Sequence, residues 1–121
     1  AEQQQPEIEI DAEIPLSLVK PAFYNIVKQF EPFGPANMKP VFLTRRMYDY
    51  QGSSSVVKDQ HLRLVAHQRN GSIVDGIGFG LGEKIDIVRG GPFDMLYTIE
   101  ENEYNGTTRL QVRVVDVKPS A

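Results

Sequence analysis

The residues able to do chemistry gather in one stretch, 58–69, where Lys58, His61, Arg63, His67 and Arg69 sit among apolar residues. Three kinds of chemistry could use this stretch and the serines before it: metal ligation, nucleophilic catalysis, or capture of a polyanion. His61 and His67 are the only histidines. Six positions apart on an extended strand, they lie roughly 20 Å from each other at ~3.3 Å per residue, too far to share an ion. No carboxylate cluster stands beside either one, so no metal site is expected. Ser53, Ser54 and Ser55 lie in a loop without a Gly-x-Ser-x-Gly elbow, and the chain has no cysteine, so no nucleophile is expected either. The run Gly76-x-Gly78-x-Gly80-x-Gly82 resembles a dinucleotide loop, but Leu81 occupies its third glycine position and no parallel βαβ unit surrounds it. No catalytic residue is assigned.

Polyanion capture remains. Holding a single strand of nucleic acid needs cations for phosphates and flat side chains on which bases stack. Lys58, His61 and Arg63 offer the first, and Tyr48 and Tyr50 the second. Arg113 faces outward with Arg109 and Gln111 on a later strand, where it can meet DNA, a neighbouring domain or water. Phe79 has a stacking ring, but it alternates in phase with Ile73 and Ile77 and reads as core. Tyr104 reads as a cap beside Gly106.

Periodicity supplies the elements that must position these residues. Leu62, Leu64 and Ala66 alternate with His61, Arg63 and His67, so strand two (58–69) has an apolar and a cationic face. Asn70-Gly71 predicts a tight type I′ turn into strand three. Before them, Val41–Tyr50 reads as strand one and residues 51–55 as a flexible loop. After them come a short helical or turn-like segment (Leu81–Val88), strand four (Phe93–Glu100), a turn at 102–106 and strand five (Thr108–Lys118). Asn70-Gly-Ser and Asn105-Gly-Thr match glycosylation sequons and are better read as turns. Upstream, residues 1–6 are polar and expected to be disordered. Ile8, Ile10, Ala12 and Ile14 suggest a short strand ending at Pro15. Phe23, Ile26, Val27 and Phe30 predict a helix over 21–30, with Pro21 at its first position. Pro32-Phe33-Gly34-Pro35-Ala36-Asn37 reads as a rigid loop.

The order strand, strand, strand, short helix, strand, strand predicts a mainly β chain. Its architecture is read as a five-stranded OB-fold-like Greek-key barrel, preceded by an N-terminal strand and helix. Gly76, Gly78 and Gly80, at every second place, suit sharp coiling or close backbone approach. Two regions are expected: an acidic arm over 1–37 and an OB-fold domain over 38–121.

At 121 residues and 40% apolar, the chain suits one domain with a modest core. The absence of cysteine makes a reducing, cytoplasmic setting the default, and no apolar run approaches the ~20 residues of a membrane helix. The start, Ala1 followed by Glu-Gln-Gln-Gln, reads as a piece of something longer. Net charge is −3, yet its distribution is uneven. Residues 1–37 carry Glu2, Glu7, Glu9, Asp11, Glu13 and Glu31 against Lys20 and Lys28. Residues 41–70 carry Arg45, Arg46, Lys58, Arg63 and Arg69 against Asp49 and Asp59. Screening confines such fields to roughly 8–10 Å, so local sign outweighs the sum.

Three stretches between Phe30 and Asp116, in a likeness taken to cover residues 8–118, resemble the C-terminal part of RecJ, a family of bacterial exonucleases specific for single-stranded DNA. They are Phe30-Glu31-Pro32-Phe33-Gly34-Pro35-Ala36-Asn37 with Pro40-Val41-Phe42; Lys58-x-x-His61-Leu62-Arg63-Leu64 with Asp75-Gly76-Ile77-Gly78-Phe79; and Asp94-Met95-Leu96-Tyr97-Thr98, Asn102–Gly106, Leu110-Gln111-Val112-Arg113 and Asp116. Ala36 departs from the family's Pro-Phe-Gly-x-Gly-Asn loop. The resemblance implies an OB-fold domain that helps hold single-stranded DNA. Catalysis would belong to a DHH phosphoesterase domain binding Mn²⁺ or Mg²⁺, outside this sequence, in a 5′-to-3′ exonuclease. Residues 7–31 would be the link to upstream domains. Expected partners are single-stranded DNA and other domains of the same nuclease. The alternative is an interaction domain that packs on the nuclease core or recruits a single-strand-binding protein.

Overall fold

Alternation of large apolar with polar residues over 42–67 and 93–118 commits most of the chain to strands with one face inward. In a computed structural model, which describes residues 8–29, 39–69 and 71–121, these become β1 (Ala12–Glu13), α1 (Pro21–Lys28), β2 (Phe42–Asp49), β3 (Ser55–Val57), β4 (His61–His67) and β5 (Ile73–Gly78). A 3₁₀ turn (Gly82–Lys84) then leads into α2 (Ile85–Arg89), β6 (Phe93–Tyr104) and β7 (Thr107–Pro119). The described residues are thus mainly β, with seven strands in one sheet. The loop at Pro32–Asn37, the ring of Phe30, residues 1–6 and the turn residue Asn70 lie outside the described residues.

Pairing runs β2–β6–β7–β5–β4, and β4 returns to β2 through Tyr48 opposite His67 and Asp49 opposite Ala66. Five strands therefore close a ring. All these pairs are antiparallel except β5–β7, which is parallel at Gly76–Val112 and Ile77–Arg113. Inside the ring lie Met47, Leu62, Leu64, Ala66, Phe93, Met95, Tyr97 and Val112, all fully buried, with Val88 of α2 beside them.

Several expected boundaries shift. Pairing of the N-terminal strand with β2 is confined to Ala12 and Glu13, opposite Phe42 and Leu43, while Ile8 and Ile10 stay exposed. The segment read as a loop at 51–55 ends in a strand, β3, whose three residues pair with His61–Arg63. Strand two begins at His61, three residues later than predicted. β6 and β7 run to a tip at Asn105-Gly106, both at positive φ (51° and 79°), so the predicted turn at 102–106 is narrower.

The arm joins the core through a buried polar node. Thr44 Oγ1 donates to the Ile14 carbonyl (2.8 Å) and accepts from the Tyr97 hydroxyl (2.7 Å). The side chain of Gln68 adds a second staple. Its Nε2 donates to the Arg45 carbonyl and its Oε1 accepts from the Leu16 N–H, both at 2.8 Å. Phe23 of α1 packs edge-on against Phe42, with centroids 5.5 Å apart.

Burial pushes the Tyr97 phenol up to about 12, against a smaller opposing effect of its hydrogen bond to Thr44. The unfolded chain would ionise this group near pH 10, whereas the fold holds it protonated. The unfolded state therefore binds fewer protons between these values, and stability falls as pH rises from 10 towards 12. The loss should total about 2–3 kcal/mol, taken from a shift of about two units. Denaturant unfolding at stepped alkaline pH is expected to show this fall. Tyr97→Phe should remove it from the pH profile, at the cost of a lower baseline.

Candidate nucleic-acid interface

The outward face of β4 carries His61, Arg63 and His67, with Leu62, Leu64 and Ala66 directed into the core as the alternation predicts. Directly opposed residues share a face. Arg63 lies opposite Ile77 of β5, and Ile77 opposite Arg113 of β7. These three form a row across three strands, cation, aliphatic, cation, on the outside of the ring.

Phe79 extends this row, contrary to expectation. It is 55% exposed just past β5, and Ile73 in the same phase is 53% exposed. The inward positions of β5 are Val74, Gly76 and Gly78, opposite Ala66, Leu64 and Leu62. The reading of Phe79 as core is therefore corrected. Its ring lies 4.7 Å from the Arg113 guanidinium and 5.2 Å from the His61 ring, the latter edge-on. His61 Nδ1 accepts the Gly80 N–H at 2.9 Å, which fixes the imidazole and leaves Nε2 as the protonated nitrogen of its neutral form.

A second group forms at the other end of β4. The ring of His67 lies 6.2 Å from Tyr48 and 5.5 Å from Tyr50, with Tyr50 edge-on. All three are half-buried, so their exposed portions line the surface. Of the predicted residues, the fold brings His61 and Arg113 together around Phe79, and Tyr48 and Tyr50 together around His67. Arg63 stands between the two groups. Lys58 is not on a strand: with Asp59 it forms the β3–β4 turn, both at positive φ (54° and 57°), and its side chain is exposed. Tyr104 does not cap the ring; it is 71% exposed near the β6–β7 tip.

Electrostatics separate the cations. Arg113 is bound to Glu100 (3.1 Å), Arg109 to Asp75, Lys84 to Asp116 (3.1 Å), and Arg45 to both Glu13 and Asp94 (3.2 Å each). Among the described residues Lys58, Arg63 and Arg69 have no ion-pair partner. Of the acidic arm, Glu13 goes to Arg45, so nothing described from it neutralises the β4 face. Among the described residues, no group of three or more His, Asp or Glu side chains could hold a metal ion. None of their helices is long and apolar enough to cross a membrane.

The loop before β3 is held from three sides. Ser54, fully buried, accepts the Val65 N–H (3.0 Å) and donates to the Val65 carbonyl (3.1 Å) through Oγ. Its N–H donates to Asp49 Oδ1 (2.9 Å), and its carbonyl accepts from Arg89 Nη2 (2.7 Å). Ser54 thus serves as a strand-to-strand splice.

Residues 10–116 match the RecJ OB domain family. The chain belongs to that family. No curated protein sequence matches the chain significantly. Among solved structures, it is similar to RecJ from Thermus thermophilus in complex with Mn²⁺, with a TM-score of 0.66 and 21% identity over 94% of this chain. It is also similar to the Mg²⁺ complex of RecJ from the same organism, with a TM-score of 0.62 and 22% identity over 89% of this chain. In each case the match covers 16% of the relative's own chain. At this identity the likeness concerns the fold.

The exposed setting of Phe79 has a measurable consequence. Phe79→Ala should cost less than about 1 kcal/mol in denaturant unfolding, as for a surface change. The same change at fully buried Phe93 should cost about 3–5 kcal/mol.

Proposed function

We propose that this domain holds single-stranded DNA for a RecJ-like exonuclease whose catalytic, metal-dependent residues lie in other domains of the parent protein, and that it is itself non-catalytic. We read the five-strand ring as an OB-fold barrel. Its order β2–β6–β7–β5–β4, with one parallel pair, supports that reading. In OB-folds the outer face of the second and third strands and the flanking loops bind oligonucleotides. Here those strands are β4 and β5.

The observation that carries the proposal is the exposed Arg63 and Lys58, without an ion-pair partner among the described residues, on and next to the strand whose His61 packs against the exposed ring of Phe79. Lys58 and Arg63 would meet phosphates. Phe79 at one end of β4, and Tyr48 and Tyr50 at the other, would offer surfaces for bases, each stack contributing ~1–3 kcal/mol. Every base has a π-face, so sequence preference would be weak. His61 and Arg113 fit a supporting role around Phe79. Holding substrate in this way would favour processive digestion by the parent.

A second reading, docking against the nuclease core or recruiting a partner such as a single-strand-binding protein, draws on the exposed Ile8, Ile10, Leu18 and Ile26 of the arm and α1. Residues 1–37 would then carry the connection to upstream domains.

Fluorescence anisotropy with labelled oligo-dT separates the two. The chain is expected to bind with micromolar or weaker affinity at low salt. Log K should fall linearly with log salt by about 0.7 for each phosphate contacted. Lys58→Ala with Arg63→Ala should weaken binding and flatten that slope. Absence of binding at low salt would leave the docking reading.

A further inference from the structure

A break in β2 creates a feature that the proposed interface does not use. Its register against β6 shifts between Thr44 and Met47. In an unbroken strand, consecutive residues face opposite ways. Here Arg45 and Arg46 are both exposed, between Thr44 and Met47, which are fully buried. A bulge does this by inserting an unpaired residue and re-aiming its side chain. Arg46 sits in the left-handed region (φ 58°), a conformation that costs a non-glycine residue about 1–3 kcal/mol. It is held there by its N–H to Asp94 Oδ1 at 3.1 Å.

Beside this bulge is a cleft of about 580 Å³ lined by Glu13, Arg45, Arg46, Tyr48, Gln68 and Arg69. Glu13 and Asp94 occupy Arg45. The Arg46 guanidinium makes one long contact, to the Ala121 carbonyl at 3.4 Å, and Arg69 has no ion pair among the described residues. Two guanidinium groups are therefore available to an anion. Gln68 is fixed in the lining, because its side chain donates to the Arg45 carbonyl and accepts from the Leu16 N–H. Tyr48, which belongs to the aromatic group around His67, forms one side. The cleft therefore begins where the outer face of β4 ends.

We infer that this cleft is a second phosphate-binding subsite, in which Arg46 and Arg69 take the backbone of a single strand leaving the β4 face past Tyr48. The inference rests on the proposed function. The track from His61 to Arg69 covers eight residues, about 26 Å at strand spacing. That span lies within the reach of the roughly 4–16 nucleotides an OB-fold occupies. Arginine suits the task because its planar fork matches phosphate oxygens in pairs.

The test uses dT15 anisotropy over a salt series with this chain, the double variant Arg46→Asn/Arg69→Ala, and Lys58→Ala/Arg63→Ala. Asparagine is chosen at 46 because it tolerates the left-handed region. Arg69→Glu alone provides a variant that leaves the bulge untouched, and thermal unfolding checks that each is folded. Removing two phosphate contacts should lower the slope of log K against log salt by about 1.4 and weaken binding at least tenfold, with Arg69→Glu weakening it as well. An unchanged slope and affinity in folded Arg46/Arg69 variants, with loss only in the Lys58/Arg63 variant, would overturn the cleft and leave the β4 interface standing. Loss only in the Arg46/Arg69 variants would support the cleft and remove the β4 face. A wild-type chain that does not bind dT15 would overturn both.

Discussion

A side chain at Gly76 would have no room: a Cβ there would sit 2.0 Å from the carbonyl oxygen of Val112. That close approach of two backbones allows β5 to lie parallel against β7, and the parallel pair lets the sheet curl back on itself. With β5 so placed, β4 is carried round to meet the end of β2 at Tyr48 and Asp49. Closure encloses Leu62 and Leu64 and at the same time sets the alternate residues of β4 on the outside. The proposed interface is thus the other half of the condition that makes the core. A substitution at Gly76 would disturb both, because strand alternation couples them at every residue.

Closure also determines where the acids of this net-negative chain can act. The arm pairs with β2 along the half of its edge that β4 does not use, so Glu13 reaches Arg45 and not Arg63. Glu100 and Asp75 are engaged by arginines of β7. What is left facing solvent along β4 and its flanking turns is basic in balance: Lys58, Arg63 and Arg69 against the single carboxylate of Asp59. Within a screening length of roughly 8–10 Å, a phosphate near Arg63 would respond to these charges more than to the total of −3.

The sequence made β4 legible because its period-two pattern is complete: Leu62, Leu64 and Ala66 are large enough to register. β5 misleads because two of its inward positions are glycines, while the bulky residues Ile73, Ile77 and Phe79 all point outward or sideways. Register compounds the error. A two-residue turn at Asn70-Gly71 would set Leu62 opposite Phe79 and Leu64 opposite Ile77, an apolar cluster. Instead Gln68 N–H bonds the Ser72 carbonyl and His67 lies opposite Ile73, so Leu62 meets Gly78. A slip of one residue turns every side chain of a strand to the other face, and this one separates Phe79 as core from Phe79 as surface. β3 was hidden for a related reason. Ser54 and Ser55 read as loop, but the Ser54 hydroxyl stands in for a backbone partner of Val65, an arrangement no periodicity announces. The bulge at Arg45-Arg46 is equally silent, since two adjacent arginines fit any exposed segment.

The two classes of arginine on the outer face are not equivalent. For Arg113 to bind a phosphate it must give up Glu100 and its position over Phe79, and an exposed ion pair of this kind is worth about 0–1 kcal/mol. The exchange gains little. Its guanidinium, 4.7 Å from the ring, contributes more by holding Phe79 in place and making that ring a firmer surface. Arg63 has no such attachment among the described residues, and any phosphate that reaches it replaces only water. Under the proposed function, rings at both ends of β4 with an unattached cation between them would grip a flexible strand without reading its sequence.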